Sequence, residues 1–155
     1  TMLGFNYRMN EMQAALGICQ LDRIDGFLKK RRKNYETLRK ELGDINELRF
    51  LESSQGDFES SYYCLSVLLQ DPSAEKRFEI VDCLKKNGVG TSVYYPKAVP
   101  HFQYYREKYD YKESSFPVAA RISSASIALP VGPHLNEEDM HVVAERVKNA
   151  IHEVK

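Results

Sequence analysis

The sequence predicts an α+β fold, a small sheet covered by helices with a long helix at its N-terminal end. Three observations lead there. Apolar residues recur with a helical period over residues 10–42. Residues 62–69 and 89–95 are rich in aromatic and branched side chains and read as buried strands. Residues 136–154 carry a capped, acid-started amphipathic helix.

In the first helix Asn10 is the expected N-cap, and Glu11 places negative charge in the first turn. Leu21, Ile24, Leu28, Tyr35, Leu38 and Leu42 fall on one stripe, with Arg31 in the slot between Leu28 and Tyr35. Gly17 and Gly26 each weaken a helix by about 1 kcal/mol relative to alanine, so they mark places for a bend or for close packing. One small core cannot cover so long a helix, and one end is expected on a partner domain or subunit. Gly43 is placed to terminate it. The run Lys29-Lys30-Arg31-Arg32-Lys33 has the composition of a nucleic-acid patch. On a helix its side chains point all around the axis, flanked by Asp22, Asp25, Glu36 and Glu41, so it reads as a solvated face without function.

Residues 48–51 form a short strand candidate, and 53–61 a polar loop ahead of the strand at 62–69. Asp71-Pro72-Ser73 breaks that strand and caps a helix in which Phe78, Val81 and Leu84 share a face; Asn87-Gly88 ends it. After the strand at 89–95, six of the ten tyrosines lie between Tyr94 and Tyr111, with Pro96, Pro100 and His101. Such a stretch suits either a ligand surface or a tyrosine-rich packing seam. Phe116-Pro117 opens a short helix, 126–130 is a short strand stopped by proline, and Asn136 caps the last helix, whose stripe is Met140, Val143, Val147, Ile151 and Val154. His134, His141 and His152 read as surface side chains.

A length of 155 residues fits one domain able to bury roughly two-thirds of its unfolded surface. Lys+Arg of 22 against Asp+Glu of 22 leaves no net charge, which argues against a dedicated nucleic-acid or membrane-surface binder. No apolar run approaches the roughly 20 residues of a membrane span. Cys19, Cys64 and Cys83 are odd in number and widely spaced, as expected of buried, quiet thiols in a reducing cytoplasm rather than of a disulfide framework or a metal site.

The stretch with most chemistry is Gly4-Phe5-Asn6-Tyr7-Arg8-Met9, directly ahead of the first helix. Unpaired backbone N–H groups and the positive end of the dipole favour an anion there. Asn6 can donate from its amide, and Arg8 can clamp two oxygens. A plain cap with Arg8 in a surface ion pair is the alternative. Lys29, Lys30, Lys33 and Lys40 lie on the charged helix, and Lys85, Lys86 and Lys148 near helix ends, so none has the setting of a nucleophile.

This stretch, with Gln13-Ala14-Ala15-x-Gly17-x-x-Gln20-Leu21 after it, closely resembles a signature of the DegT/DnrJ/EryC1/StrS group, the fold-type I, pyridoxal-phosphate-dependent sugar aminotransferases. Two further blocks resemble the same family: Tyr95-Pro96 followed by His101, with one residue more than the usual spacing, and Leu129-Pro130 followed by Pro133-x-Leu135-x-x-Glu138-Asp139. The resemblance implies a C-terminal portion of a longer homodimeric enzyme, resembling the small domain of that fold. Residues 4–42 would be the signature loop and the long helix leading from a large domain, and 43–155 a small α/β sheet domain. It implies that pyridoxal 5'-phosphate is held across a subunit interface, with Asn6 on its phosphate and Arg8 near that phosphate and the anionic part of a nucleotide-linked keto sugar. Tyr95 and His101 would contact substrate, and the catalytic lysine would lie upstream. A sugar dehydratase of the same fold and a non-catalytic helical interaction or dimerisation module are the competing readings.

Overall fold

The structure, a computed structural model, describes residues 4, 7–54, 56–71 and 73–154. Asn6 lies outside the described residues. Helix α1 (Glu11–Leu21) opens on a capping box in which Asn10 accepts from the Gln13 N–H and the Gln13 side chain accepts from the Asn10 N–H, at 2.9 and 3.1 Å. Helix α2 (Ile24–Glu41) follows at once. The single helix expected over 10–42 is therefore two. The join falls at Asp22-Arg23, where the Arg23 N–H bonds the Gln20 carbonyl three residues back at 3.1 Å, a tightened last turn. Gly17 and Gly26 sit inside the two helices rather than at the join, and among the described residues nothing packs closely on either.

The expected stripe divides at Arg31. Tyr35, Leu38 and Leu42 are buried, whereas Leu21, Ile24 and Leu28 keep 66%, 43% and 36% of their surface exposed. Helix α1 has no buried residue. Its cysteine, Cys19, is accordingly exposed, and Cys64 and Cys83 are half-buried, so the expectation of three buried thiols fails for Cys19 above all.

The sheet is antiparallel, in the order β1 (Leu48–Phe50), β2 (Leu65–Leu69), β3 (Ser126–Leu129). Leu48 faces Leu69 across one ladder, and Leu65 faces Leu129 across the other. Leu65, Val67 and Leu69 alternate into the core, as strand periodicity requires. There they meet Leu38 of α2, Ile80 and Leu84 of α3 (Ala74–Lys86), and Met140, Val143 and Val147 of α6 (Glu137–Glu153). Between β2 and β3 also come a short 3-10 turn (Val99–His101), α4 (Gln103–Tyr109) and α5 (Pro117–Ala125).

The strand expected at 89–95 does not form. Ser92 makes one bridge to Ala128, with N–O distances of 3.1 and 2.8 Å, and the ladder stops on both sides. The next rung toward Gly90 would need an N–H on Pro130, which has none. The next rung toward Tyr94 would need the Ser126 N–H, which instead caps α5 by bonding the Ile122 carbonyl. The face expected for α3 is also shifted. Phe78 is 56% exposed, while Arg77, Ile80, Val81 and Leu84 are buried. These four keep the i, i+3, i+4, i+7 spacing that Phe78 misses by one position. The last helix is as expected, with Asn136 and Asp139 forming a second capping box.

Candidate functional site

Arg8 lies exposed in the extended segment that leads into α1, two residues ahead of the Asn10 cap. The α1 N-terminus is therefore open, its capping satisfied by Asn10 and its first turn facing solvent. Tyr95 is exposed in the irregular segment after the Ser92 bridge, and its peptide bond with Tyr94 is cis. His101 is half-buried at the end of the 3-10 turn. Its Nε2 lies 2.6 Å from the Ser115 carbonyl oxygen, to which the Nε2–H donates. That bond ties the loop to the segment ahead of α5 and leaves only Nδ1 for a ligand. No hydrogen bond or ion pair among the described residues joins Arg8 to Tyr95 or His101.

The tyrosine-rich stretch is largely a packing seam. Tyr105 stacks on Tyr109 at 6.3 Å, Tyr109 on Tyr111 at 5.5 Å, and Tyr111 meets Phe116 edge-on at 5.0 Å. These contacts fold α4 back onto the segment leading into α5.

Tyr94 belongs elsewhere. With Arg31, Tyr63, Ser92 and His134 it lines a hollow of about 250 Å3 between α2 and the loop after β3. Hydrogen bonds from Ser92 and then Tyr63 hold the Tyr94 phenol below its ordinary pKa, and the same Tyr63–Tyr94 bond holds the Tyr63 phenol above. The Arg31 guanidinium lies over the Tyr63 ring, 5.4 Å from its centroid. Sequence reasoning placed Arg31 on a solvated face, whereas it is half-buried; His134 is exposed, as expected of a surface side chain, and one side of it borders the hollow. The signal that could have found the hollow is Arg31 itself, a cation in a stripe position otherwise held by apolar residues.

The family implied by the resemblance uses pyridoxal phosphate, and the donor set here fits one end of that group only. Arg8 and the open α1 N-terminus suit a phosphate. Among the described residues every lysine is exposed except Lys76, which is half-exposed in the first turn of α3. Nor do any three His, Cys, Asp or Glu side chains among the described residues group as metal ligands. No helix of the described residues is long and apolar enough to cross a membrane.

Comparison with known proteins agrees with this architecture. A family model described as the DegT/DnrJ/EryC1/StrS aminotransferase family matches residues 1–148. The chain is 31% identical over 153 residues to the pleiotropic regulatory protein of Geobacillus stearothermophilus, covering 94% of this chain and 38% of that one. It is 27% identical over 150 residues to the GDP-perosamine synthase of Vibrio cholerae, covering 96% of this chain and 39% of the synthase. This chain thus spans less than half the length of the curated relatives it matches. Among solved structures, the putative sugar aminotransferase Spr1654 from Streptococcus pneumoniae in its PMP form superposes with a TM-score of 0.87 at 24% identity, over 96% of this chain and 36% of that one. Helicobacter pylori PseC, an aminotransferase involved in the biosynthesis of pseudoaminic acid, superposes with a TM-score of 0.85 at 25% identity, over 99% of this chain and 40% of that one. With the match running through nearly the whole sequence and the fold in agreement, the chain belongs to the DegT/DnrJ/EryC1/StrS aminotransferase family.

Proposed function

We propose that this chain is the C-terminal part of a pyridoxal 5'-phosphate-dependent sugar aminotransferase that moves an amino group, with glutamate as donor, onto a nucleotide-linked keto sugar. The observation that carries this reading is the family match over residues 1–148, together with relatives named for perosamine and amino-sugar synthesis. Residues 4–42 are the signature loop and helical arm leading from a large domain, and 43–155 the small sheet domain. The enzyme works as a homodimer in the cytoplasm. The exposed apolar positions of α1 and early α2, from Met12 to Leu28, support a covering surface on a large domain or second subunit.

In this reading the cofactor, when bound, supplies an electron sink for the transfer. The chain's own residues bind and orient. Asn6 donates its amide to a phosphate oxygen across the subunit interface, and Arg8 holds the phosphate and the anionic end of the substrate with its paired N–H groups. Tyr95 presents a hydroxyl and a flat face to the substrate. His101, committed through Nε2 to Ser115, holds that loop in place and offers only Nδ1. The nucleophilic lysine comes from the large domain.

The test is Asn6→Ala in the whole enzyme. A hydrogen bond to a charged phosphate is worth about 1.5–3 kcal/mol, so cofactor retention should weaken roughly tenfold or more. Unchanged cofactor affinity and turnover would sink the assignment.

A further inference from the structure

In the basic run of α2, Arg32 pairs with Glu36 at 2.9 Å and Glu59 at 3.0 Å, and Lys33 with Glu137 at 2.6 Å. Arg31, half-buried between them and the core, is different. Among the described residues no carboxylate lies within ion-pair reach of it and no protein acceptor takes its N–H groups; its guanidinium rests on the Tyr63 ring. A guanidinium offers five donors in a rigid fork and stays charged at any accessible pH. Here that fork sits at the wall of a hollow lined also by Tyr63, Ser92, Tyr94 and His134, with no aspartate or glutamate in the lining.

The hollow is held in shape rather than left by chance. Asn34, three residues after Arg31 on the same face of α2, donates its buried amide to the carbonyls of Gly132 and Leu135, at 3.1 Å each. Those bonds fasten the loop bearing His134 against α2. Gly132 lets the imidazole lie there, because a Cβ at that position would sit 2.5 Å from Cε1 of His134 and 2.7 Å from its Nδ1. A cation, two tyrosines, a serine and an imidazole therefore line one small space.

We infer that this hollow is an oxyanion subsite, in which Arg31 takes a carboxylate or phosphate group through paired hydrogen bonds and the Tyr63, Tyr94 and Ser92 hydroxyls and the His134 ring complete its shell. At about 250 Å3 it suits a small anion or the anionic end of a larger one, since drug-sized ligands occupy roughly 300–1,000 Å3. The inference rests on the geometry of this chain and does not require the aminotransferase reading.

Calorimetric titration of the 155-residue chain with inorganic phosphate, and separately with L-glutamate, at fixed ionic strength tests it directly. Saturable one-site binding of at least one of them is expected, weakened at least tenfold by Arg31→Gln and less by Arg31→Lys, which keeps the charge but not the fork. Binding of phosphate alone assigns the site to a phosphate-bearing ligand, and binding of glutamate alone assigns it to a carboxylate. Absence of saturable binding by either, or equal binding in Arg31→Gln, overturns the inference. Should Arg31→Gln fail to fold by circular dichroism, Tyr94→Phe and His134→Gln decide in its place, and unchanged affinity in both overturns it equally.

Discussion

The side-chain amide of Asn34 lies 3.1 Å from the main-chain carbonyl oxygen of Gly132, joining the middle of α2 to a loop 98 residues further along the chain. Its second donor reaches the Leu135 carbonyl. Asn34 is 97% buried by this arrangement, its relative exposure being 3%. Removing the amide would leave two carbonyls without their partner in a nearly dry place, at about 1–3 kcal/mol. Asn34→Ala should therefore lower the denaturation midpoint without changing the slope of the transition. A free energy of unfolding within about 0.5 kcal/mol of the parent would show the loop to be held by other contacts.

Arg77 is buried, and among the described residues no carboxylate pairs with it. Its guanidinium donates to the Ser123 carbonyl near the end of α5 and lies 5.1 Å from the Phe78 ring centroid, while its Nε finds no acceptor among the described residues. Burial accordingly pulls its pKa below the ordinary arginine value. The positive group sits where a helix C-terminus favours it, so it fastens α5 to α3. Arg77→Ala should cost about 2–4 kcal/mol from the lost bond and the space left behind. Arg77→Met, which refills most of that space, should cost less in the same chemical denaturation experiment.

The two halves of the long apolar stripe should respond differently to substitution. Leu38→Ala removes a fully buried side chain and should cost about 2–5 kcal/mol. Leu21→Ser, at an exposed position of α1, should shift the stability of the isolated chain by no more than about 0.5 kcal/mol. Helices shorter than about 12–15 residues are marginal alone, and α1 has no buried side chain, so its amides should exchange with solvent much faster than those of α2. Equal protection in the two helices would contradict this.

Lys33 and Glu137 tie α2 to the start of α6. The hydrogen bond and charge of Lys33, 2.6 Å away, hold the Glu137 carboxyl below its ordinary pKa. Because the folded value is the lower one, the stabilisation is present above the ordinary carboxylate range and is lost as pH falls through the depressed pKa. Both groups are exposed, so the effect should be small and weaken with salt. In a carboxyl-resolved NMR titration, Lys33→Met should move the Glu137 midpoint upward toward the free value. An unmoved midpoint would mean that the pair does not persist in solution.

What local chemistry dictates was legible in the sequence. Asn10, Ser73 and Asn136 are caps because a short polar side chain ahead of a helical run has an N–H to accept from, wherever the rest of the chain lies. The strand character of β2, though it begins at Leu65 and not at Tyr62, follows from its composition and the stripe of α6 from its period, and the signature around Arg8 carried the family. The tertiary structure alone decided what depends on distant partners. Segment 89–95 has the composition of a strand, yet it makes one bridge because Pro130 and the Ser126 cap remove the rungs on either side. Arg77 occupies a core position because Ser123, 46 residues away, offers it a carbonyl. Arg31 looked like one more cation in a charged run. It became the wall of a hollow only when Asn34 drew the loop of Gly132 and His134 against the same helix face, a contact between residues about a hundred positions apart that no local pattern encodes.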